Sequence, residues 1–235
     1  MIDFIQKNQK IILFVGCTAL LFLAFYGFSS LSKKKSPHPF VIKKVSTPLK
    51  QVALTFDDGP HPQYTEAVLN ILKKENIKAT FFMLGKQIEL FPHIAKRVLD
   101  DGHTVGNHSF AHLDYSLYPK AAIKKDIQKS NRIFKEYLSI EPIYFRPPFG
   151  RVSTENLSIL KSHFKHVIKW SIDTRDWDKE TSKKNMVKHI GENVEPGSII
   201  IFHDTHRYTP QELPIIIQEL KNRGYKMVTV SDLIK

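Results

Sequence analysis

The chain has 235 residues, 42% of them apolar and 11% aromatic, enough to bury the core of one soluble domain of roughly 180–190 residues. Its single cysteine, Cys17, excludes an internal disulfide. The net charge of +12 is concentrated at the N-terminus, where residues 1–50 carry eight lysines against one acid, Asp3; no nucleic-acid partner is expected of the remainder.

A short tail, residues 1–10, precedes the uncharged run 11–28, IILFVGCTALLFLAFYGF. Its eighteen residues meet the length of a membrane-spanning helix, and Lys7 and Lys10 before it give the layout of a secretory signal. The run is long for a cleaved signal, and no small-residue cleavage pair follows closely. A transmembrane signal-anchor is therefore expected, with the membrane as a partner and secretion as the alternative if the segment is cut. Phe14-Val15-Gly16-Cys17 loosely matches a lipoprotein box, but the apolar run continues well past Cys17. Lys33, Lys34 and Lys35 outnumber Lys7 and Lys10, so the flanking charges argue against an N-in/C-out orientation. A catalytic domain outside the cytoplasm is expected from the chemistry below, not from the flanks. Residues 29–49 read as a Ser/Pro/Lys linker, and residues 50–235 as the catalytic domain.

From Gln51 onward short apolar runs alternate with amphipathic ones. Strands are predicted at 51–56, 79–84, 103–107, 143–146, 166–172, 198–202 and 226–230. Helices are predicted at 63–75, 87–101, 119–138, 153–163, 182–193 and 210–223, with Gly102 and Gly224 as helix stops. This βα alternation implies parallel strands covered by helices. Periodicity alone fits either an open doubly wound sheet or a small, incomplete (β/α) barrel. Both place reactive groups at the C-terminal ends of strands.

The titratable residues follow that rule. Asp57 and Asp58 follow the first of these strands, His108 and His112 the third, Arg146 ends the fourth, Asp173 follows the fifth and His203 the sixth. The spacing of His108 and His112 puts two imidazoles on one face of a helical turn. With eleven histidines in the chain, that spacing alone is weak. A carboxylate beside the first strand can supply a third ligand, and two histidines with one aspartate leave coordination positions open, as a catalytic zinc requires. Asp57 and Asp58 can also be read as turn chemistry before Gly59 and Pro60. One serving as ligand and the other as general base would divide the work.

The segments TFDDGP (55–60), HSFAH (108–112), RPPFG (146–150), DTRDW (173–177) and IIIFH (199–203) resemble, in order and spacing, the motif series of the polysaccharide deacetylase family. This is the NodB-like homology domain, carbohydrate esterase family 4. The resemblance covers about residues 50–235 and implies a distorted, incomplete (β/α) barrel of about seven parallel strands. It implies Asp57 as catalytic base, Asp58, His108 and His112 as ligands of a divalent metal, zinc first and cobalt or another transition metal next, and Arg146 as the holder of the base. The backbone N–H of Phe149 is implied as an oxyanion donor, His203 as the acid that protonates the leaving group, and Asp173 as its carboxylate partner. Trp177 and Ile201 are implied to line the substrate groove and acetyl pocket. Phe149 stands where tyrosine is frequent and Ile201 where leucine is common, and neither departure removes a reactive group.

The activity so implied is metal-dependent hydrolysis of N-acetyl groups from N-acetylglucosamine in a polysaccharide, with peptidoglycan first and a chitin-like polymer next, by a monomer. Removal of O-acetyl groups, as from xylan, uses the same motifs and stays open. A non-catalytic carbohydrate-binding wall protein is the reading from another class, with Trp170 and Trp177 as stacking residues. His61 and His206 adjoin motif residues and are further candidates to touch substrate, whereas Phe81 and Phe82 read as core.

Overall fold

The structure is a computed structural model and describes residues 39–178 and 183–235. Its strands are β1 (Val41–Ile42), β2 (Gln51–Asp57), β3 (Thr80–Met83), β4 (Thr104–Asn107), β5 (Tyr144–Phe145), β6 (His166–Ile168), β7 (Ile172–Asp173), β8 (Ile199–His203) and β9 (Lys226–Val228). The helices are α1 (Tyr64–Lys74), α2 (Gly85–Leu90), α3 (Pro92–Asp100), α4 (Lys120–Leu138), α5 (Thr154–His163), α6 (Lys183–Asn193), α7 (Tyr208–Asn222) and α8 (Val230–Leu233).

All strand pairs are parallel, in the order β1-β6-β5-β4-β3-β2-β8-β7, with β9 also paired to β2. β6 and β7 lie near opposite ends of this path, yet only Lys169–Ser171 separate them in sequence. So short a link spans at most about 14 Å, so the sheet must curl until its two ends nearly meet. The result is an incomplete barrel of parallel strands with a seam at Lys169–Ser171, in agreement with the architecture the motif resemblance implies.

Three features differ from the sequence reading. The expected strand 166–172 divides into β6 and β7 at the seam. Val41 and Ile42, within the stretch read as linker, form β1 against Val167 and Ile168; Ile42 and Val45 are buried. The expected helix 87–101 breaks into α2 and α3 because Phe91 has non-helical backbone angles and Pro92, which lacks an N–H, opens the second helix.

The expected membrane span, residues 11–28, lies outside the described residues. Among the described residues no helix is long and apolar enough to cross a membrane. The membrane-anchored placement finds no support among the described residues and is carried no further.

Alternation along β2 sets up the site. Val52, Leu54 and Phe56 join the large cluster formed with the covering helices, where Phe56 stacks on Phe81 and Phe202 at 5.0 and 5.4 Å. The intervening Ala53, Thr55 and Asp57 therefore face the barrel interior. Phe82 is interior too, and Gly106 on β4 makes room for it: a Cβ at Gly106 would lie 2.5 Å from the Phe82 ring. Below, Val230 and Leu233 of α8 pack into the interior cluster.

Candidate active site

Inside the barrel the carboxylate of Asp57, 1% exposed, meets the fully buried guanidinium of Arg146. Arg146 donates to Asp57 Oδ1 at 2.7 Å, to Thr55 Oγ1 at 2.8 Å, and to the carbonyls of Ile168 and Lys169 at 3.1 and 3.2 Å. Its plane lies over the Phe82 ring, 4.1 Å from the centroid. A buried ion pair of this kind needs its remaining donors satisfied, and the seam carbonyls at Ile168 and Lys169 do this. Arg146 thus fixes one oxygen of Asp57.

The next residue, Asp58, turns away with a left-handed backbone, φ 75°. Its Oδ1 lies 3.2 Å from His112 Nε2 and 3.4 Å from His108 Nε2. His108 Nε2 is also 3.7 Å from Asp57 Oδ2. The Nδ1 of His108 lies 2.7 Å from the carbonyl of Arg146; a carbonyl only accepts, so Nδ1 carries a proton, and in the neutral form of the ring the lone pair is at Nε2. Burial disfavours ionisation of Asp58, but the three imidazoles of His108, His112 and His203 outweigh it and hold the carboxyl well below the usual carboxylate range. Burial lowers His112, with His108 adding to the effect. Burial also opposes the cation of His108, yet Asp57 and Asp58 raise its pKa overall.

Asp58, His108 and His112 offer one ligand atom each within 4.8 Å of one another. Asp58 Oδ1 is buried and accepts no well-formed hydrogen bond. Lone-pair nitrogens converging on an unsatisfied carboxylate oxygen fit a divalent transition metal, and zinc is compatible with this donor set.

The turn beyond Asp58 is secured by Asp204, a fully buried residue that the sequence reading does not single out. Asp204 accepts from the Gly59 N–H at 3.1 Å and from Thr65 Oγ1 at 2.5 Å. Burial, with Asp58 and Asp57 nearby, pushes its pKa up to about 7 against the Thr65 hydrogen bond.

His203 ends β8 beside Asp57 on β2, its register partner. Its carboxylate partner is Asp176, not Asp173. His203 Nδ1 lies 2.8 Å from Asp176 Oδ1, while Asp176 Oδ2 accepts from the His203 N–H at 2.7 Å and from Thr209 Oγ1 at 2.6 Å. Asp173 instead accepts the backbone N–H of Arg175 at 2.9 Å. The left-handed turn at Arg175, φ 55°, carries the chain back so that the second aspartate of DTRDW meets the imidazole. Burial disfavours the His203 cation, but Asp176, supported by Asp57 and Asp58, outweighs it and raises the pKa to about 9.

These groups line one cleft of about 540 Å³, which contains Asp57, Asp58, His108, His112, His203, Asp173 and Ile201. Phe149, Trp177, Trp170 and Arg151 complete its walls. Phe149 and Trp177 are 56% and 49% exposed, as wall residues facing a ligand would be, and Ile201 is buried. Arg151 has no place in the motif reading; its guanidinium approaches Asp114 at 3.5 Å. Of the seven described non-glycine residues with left-handed backbone, Asp58, Ser109, His112, Phe149 and Arg175 lie in the motif segments. Such conformations persist where surrounding contacts over-determine them.

His61 stacks on Tyr64 at 4.6 Å, and His206 meets His203 edge-on at 5.8 Å. His103 is buried; its Nδ1 accepts the Ala79 N–H at 3.1 Å, and burial lowers its pKa to about 4.

The polysaccharide deacetylase family model matches residues 44–167, from just after β1 into β6. This chain belongs to that family. A peptidoglycan-N-acetylglucosamine deacetylase of Bacillus cereus is 35% identical over 210 residues, covering 87% of this chain and 98% of the relative. The solved Bc1960 peptidoglycan N-acetylglucosamine deacetylase, in complex with an N-hydroxybenzamide, superposes with a TM-score of 0.78 at 33% identity, covering 82% of this chain and 92% of that one. A family 4 acetyl xylan esterase from Clostridium thermocellum, in complex with a cobalt ion, gives 0.71 at 34% identity over 78% of this chain and 89% of that one. The family therefore holds both amide-directed and ester-directed relatives of this deacetylase.

Proposed function

We propose that this member of the family removes N-acetyl groups from N-acetylglucosamine residues of a polysaccharide, with peptidoglycan as the first substrate. The observation that carries the reading is that Asp57, Asp58, His108, His112 and His203 line one cleft. The Bacillus cereus relative, matched over almost its whole length, supplies the substrate class. We take the catalytic domain to begin at β1, not at residue 50.

Asp58, His108 and His112 would hold a divalent metal, zinc first. When bound, such an ion supplies Lewis acidity and lowers the pKa of water toward neutrality. The chain's own groups account for the proton movements. Arg146 holds Oδ1 of Asp57 and leaves Oδ2 as the base that takes a proton from the attacking water. Attack on the acetyl carbon places negative charge on the former carbonyl oxygen, and the Phe149 N–H is the donor assigned to it. His203, kept cationic by Asp176, gives its proton to the departing amine, since an amide nitrogen leaves only once protonated. Trp177, Phe149 and Trp170 would contact the sugar, and Ile201 the acetyl methyl.

O-deacetylation is the second reading, favoured by the acetyl xylan esterase neighbour. Acetate release from peptidoglycan, chitin oligomers and acetylated xylan, with and without added zinc, tests both. Zinc-dependent release from the first two supports the proposal. Release from xylan alone would replace it with the ester reading, and no release from any of the three would overturn both.

A further inference from the structure

The two histidines assigned to the metal lie on a loop that its own bonds hold only in part, the His112 N–H donating to Ser109 Oγ at 2.9 Å. Both Ser109 and His112 are left-handed, at φ 76° and 58°, a region disfavoured for side chains with a Cβ. On its carbonyl side the loop is held by α2, whose Gly85 and Lys86 N–H groups donate to the Ser109 and Phe110 carbonyls at 2.9 and 3.1 Å; its amides between the strained positions are held from α4. Asp126, 7% exposed, accepts the Phe110 N–H at 2.9 Å on Oδ2 and the Ala111 N–H at 3.2 Å on Oδ1. Its Oδ2 also accepts from the Tyr115 hydroxyl at 2.8 Å. One turn further along α4, Ser130 donates to the Ser109 carbonyl at 3.1 Å and to Asn107 Oδ1 at 3.0 Å. Asn107 Oδ1 in turn accepts the Ser109 N–H at 2.7 Å.

We infer that Asp126 is a positioning residue for the metal centre: its carboxylate clamps the two amides between the strained positions and so aims both imidazoles at Asp58. The inference rests on the metal site proposed above. Charge-assisted bonds from a carboxylate to backbone amides are the strong kind. The apolar packing of α4 uses other residues, Ile123, Ile127, Ile133, Phe134 and Leu138. Loss of the carboxylate therefore loosens the loop at Phe110 and Ala111 while leaving the face that holds the helix to the sheet.

The test is a zinc titration of the full chain, stripped with a chelator and then competed against a chromophoric zinc chelator. Asp126→Ala is expected to weaken zinc binding about 10–100-fold, the range seen when groups supporting metal ligands are lost. Asp126→Asn, which keeps one acceptor oxygen, falls between it and the wild type. Tyr115→Phe keeps both amide bonds and stays within about twofold. At saturating zinc, Asp126→Ala recovers kcat to within about tenfold of the wild type, which separates positioning from chemistry. A zinc Kd unchanged in Asp126→Ala, with only the metal-free melting temperature lowered, would overturn the inference. Where Asp126→Ala does not fold, an unchanged Kd in Asp126→Asn decides the same way. A wild-type chain that binds no zinc would sink the metal reading itself, and this inference with it.

Discussion

His203 Nδ1 and Asp176 Oδ1 lie 2.8 Å apart, and the other oxygen of Asp176 accepts the backbone N–H of the same histidine. One carboxylate thereby holds both the ring and the main chain of His203, leaving Nε2 for the cleft. Asp173, three residues earlier, lines the cleft but bonds to its own turn. Asp176→Asn is expected to lower kcat on the order of 10²-fold, within the range of a lost general acid, and Asp173→Asn by less than about tenfold. Steady-state kinetics on a chitin oligomer decide between them; a larger loss from Asp173→Asn would return the pairing role to that residue.

The same pair predicts a pH signature. His203 is raised from 6.5 to about 9, opposed by burial and driven by Asp176. A histidine raised on folding contributes stability that is fully present below pH 6.5 and is lost as the pH rises through about 9. In the metal-free chain, the urea-midpoint difference between wild type and Asp176→Asn should therefore be largest below pH 6.5 and shrink toward pH 9 and above. A pH-independent difference would show that Asp176 does not tune the imidazole. In the zinc-loaded enzyme the alkaline limb of kcat/KM should move to lower pH in Asp176→Asn, since His203 must be charged to donate.

Much of this site is legible in the sequence because buried parallel strands read as apolar runs, and a titratable residue at the end of such a run stands out. Asp57, His108, Arg146 and His203 are visible for that reason. β1 is not, because two residues carry no periodicity. The β6–β7 break is hidden because Trp170 continues the apolar pattern across the seam. DTRDW offers two aspartates, and only the positive φ at Arg175 selects the second. Nothing in the sequence marks Asp126 or Asp204; that each accepts backbone N–H bonds from a site loop depends on tertiary packing.

Arg146 tests how the base is held. Removing one member of a buried ion pair leaves the other charge uncompensated, at a cost of about 3–5 kcal/mol. Arg146→Met should lower stability by that order in urea unfolding and abolish measurable turnover. Arg146→Lys keeps the charge but cannot span Asp57, Thr55, Ile168 and Lys169 at once. It should recover part of the stability and little of the activity. Full activity in the lysine variant would show that charge alone suffices.

Metal content and turnover should separate by residue. Asp58→Ala and His108→Ala are each expected to lose both, because each removes one of three ligand atoms lying within 4.8 Å. His203→Ala should keep one equivalent of zinc while kcat falls by about 10²–10⁴-fold. Metal analysis after gel filtration, run beside the acetate assay, reads both quantities. Stoichiometric zinc in Asp58→Ala would remove that residue from the ligand set.

Gly59 is the position where the site has no room for a side chain. A Cβ there would lie 2.4–2.8 Å from the Asp204 carboxylate, which is itself fixed by Thr65 and by the Gly59 N–H. Neither partner can yield cheaply, because Asp204 is buried and the turn carries Asp57 and Asp58 directly before it. Gly59→Ala should therefore destabilise the chain by about 1–3 kcal/mol, the usual cost of overpacking, and shift Asp58 relative to the histidines. Weaker zinc binding together with a lower urea midpoint is the expected pair of results. Asp204→Ala in the Gly59→Ala background removes the clash but also the clamp, so it should recover stability more than zinc affinity. Recovery of both to wild-type values would show that Asp204 does no more than fill space beneath the turn.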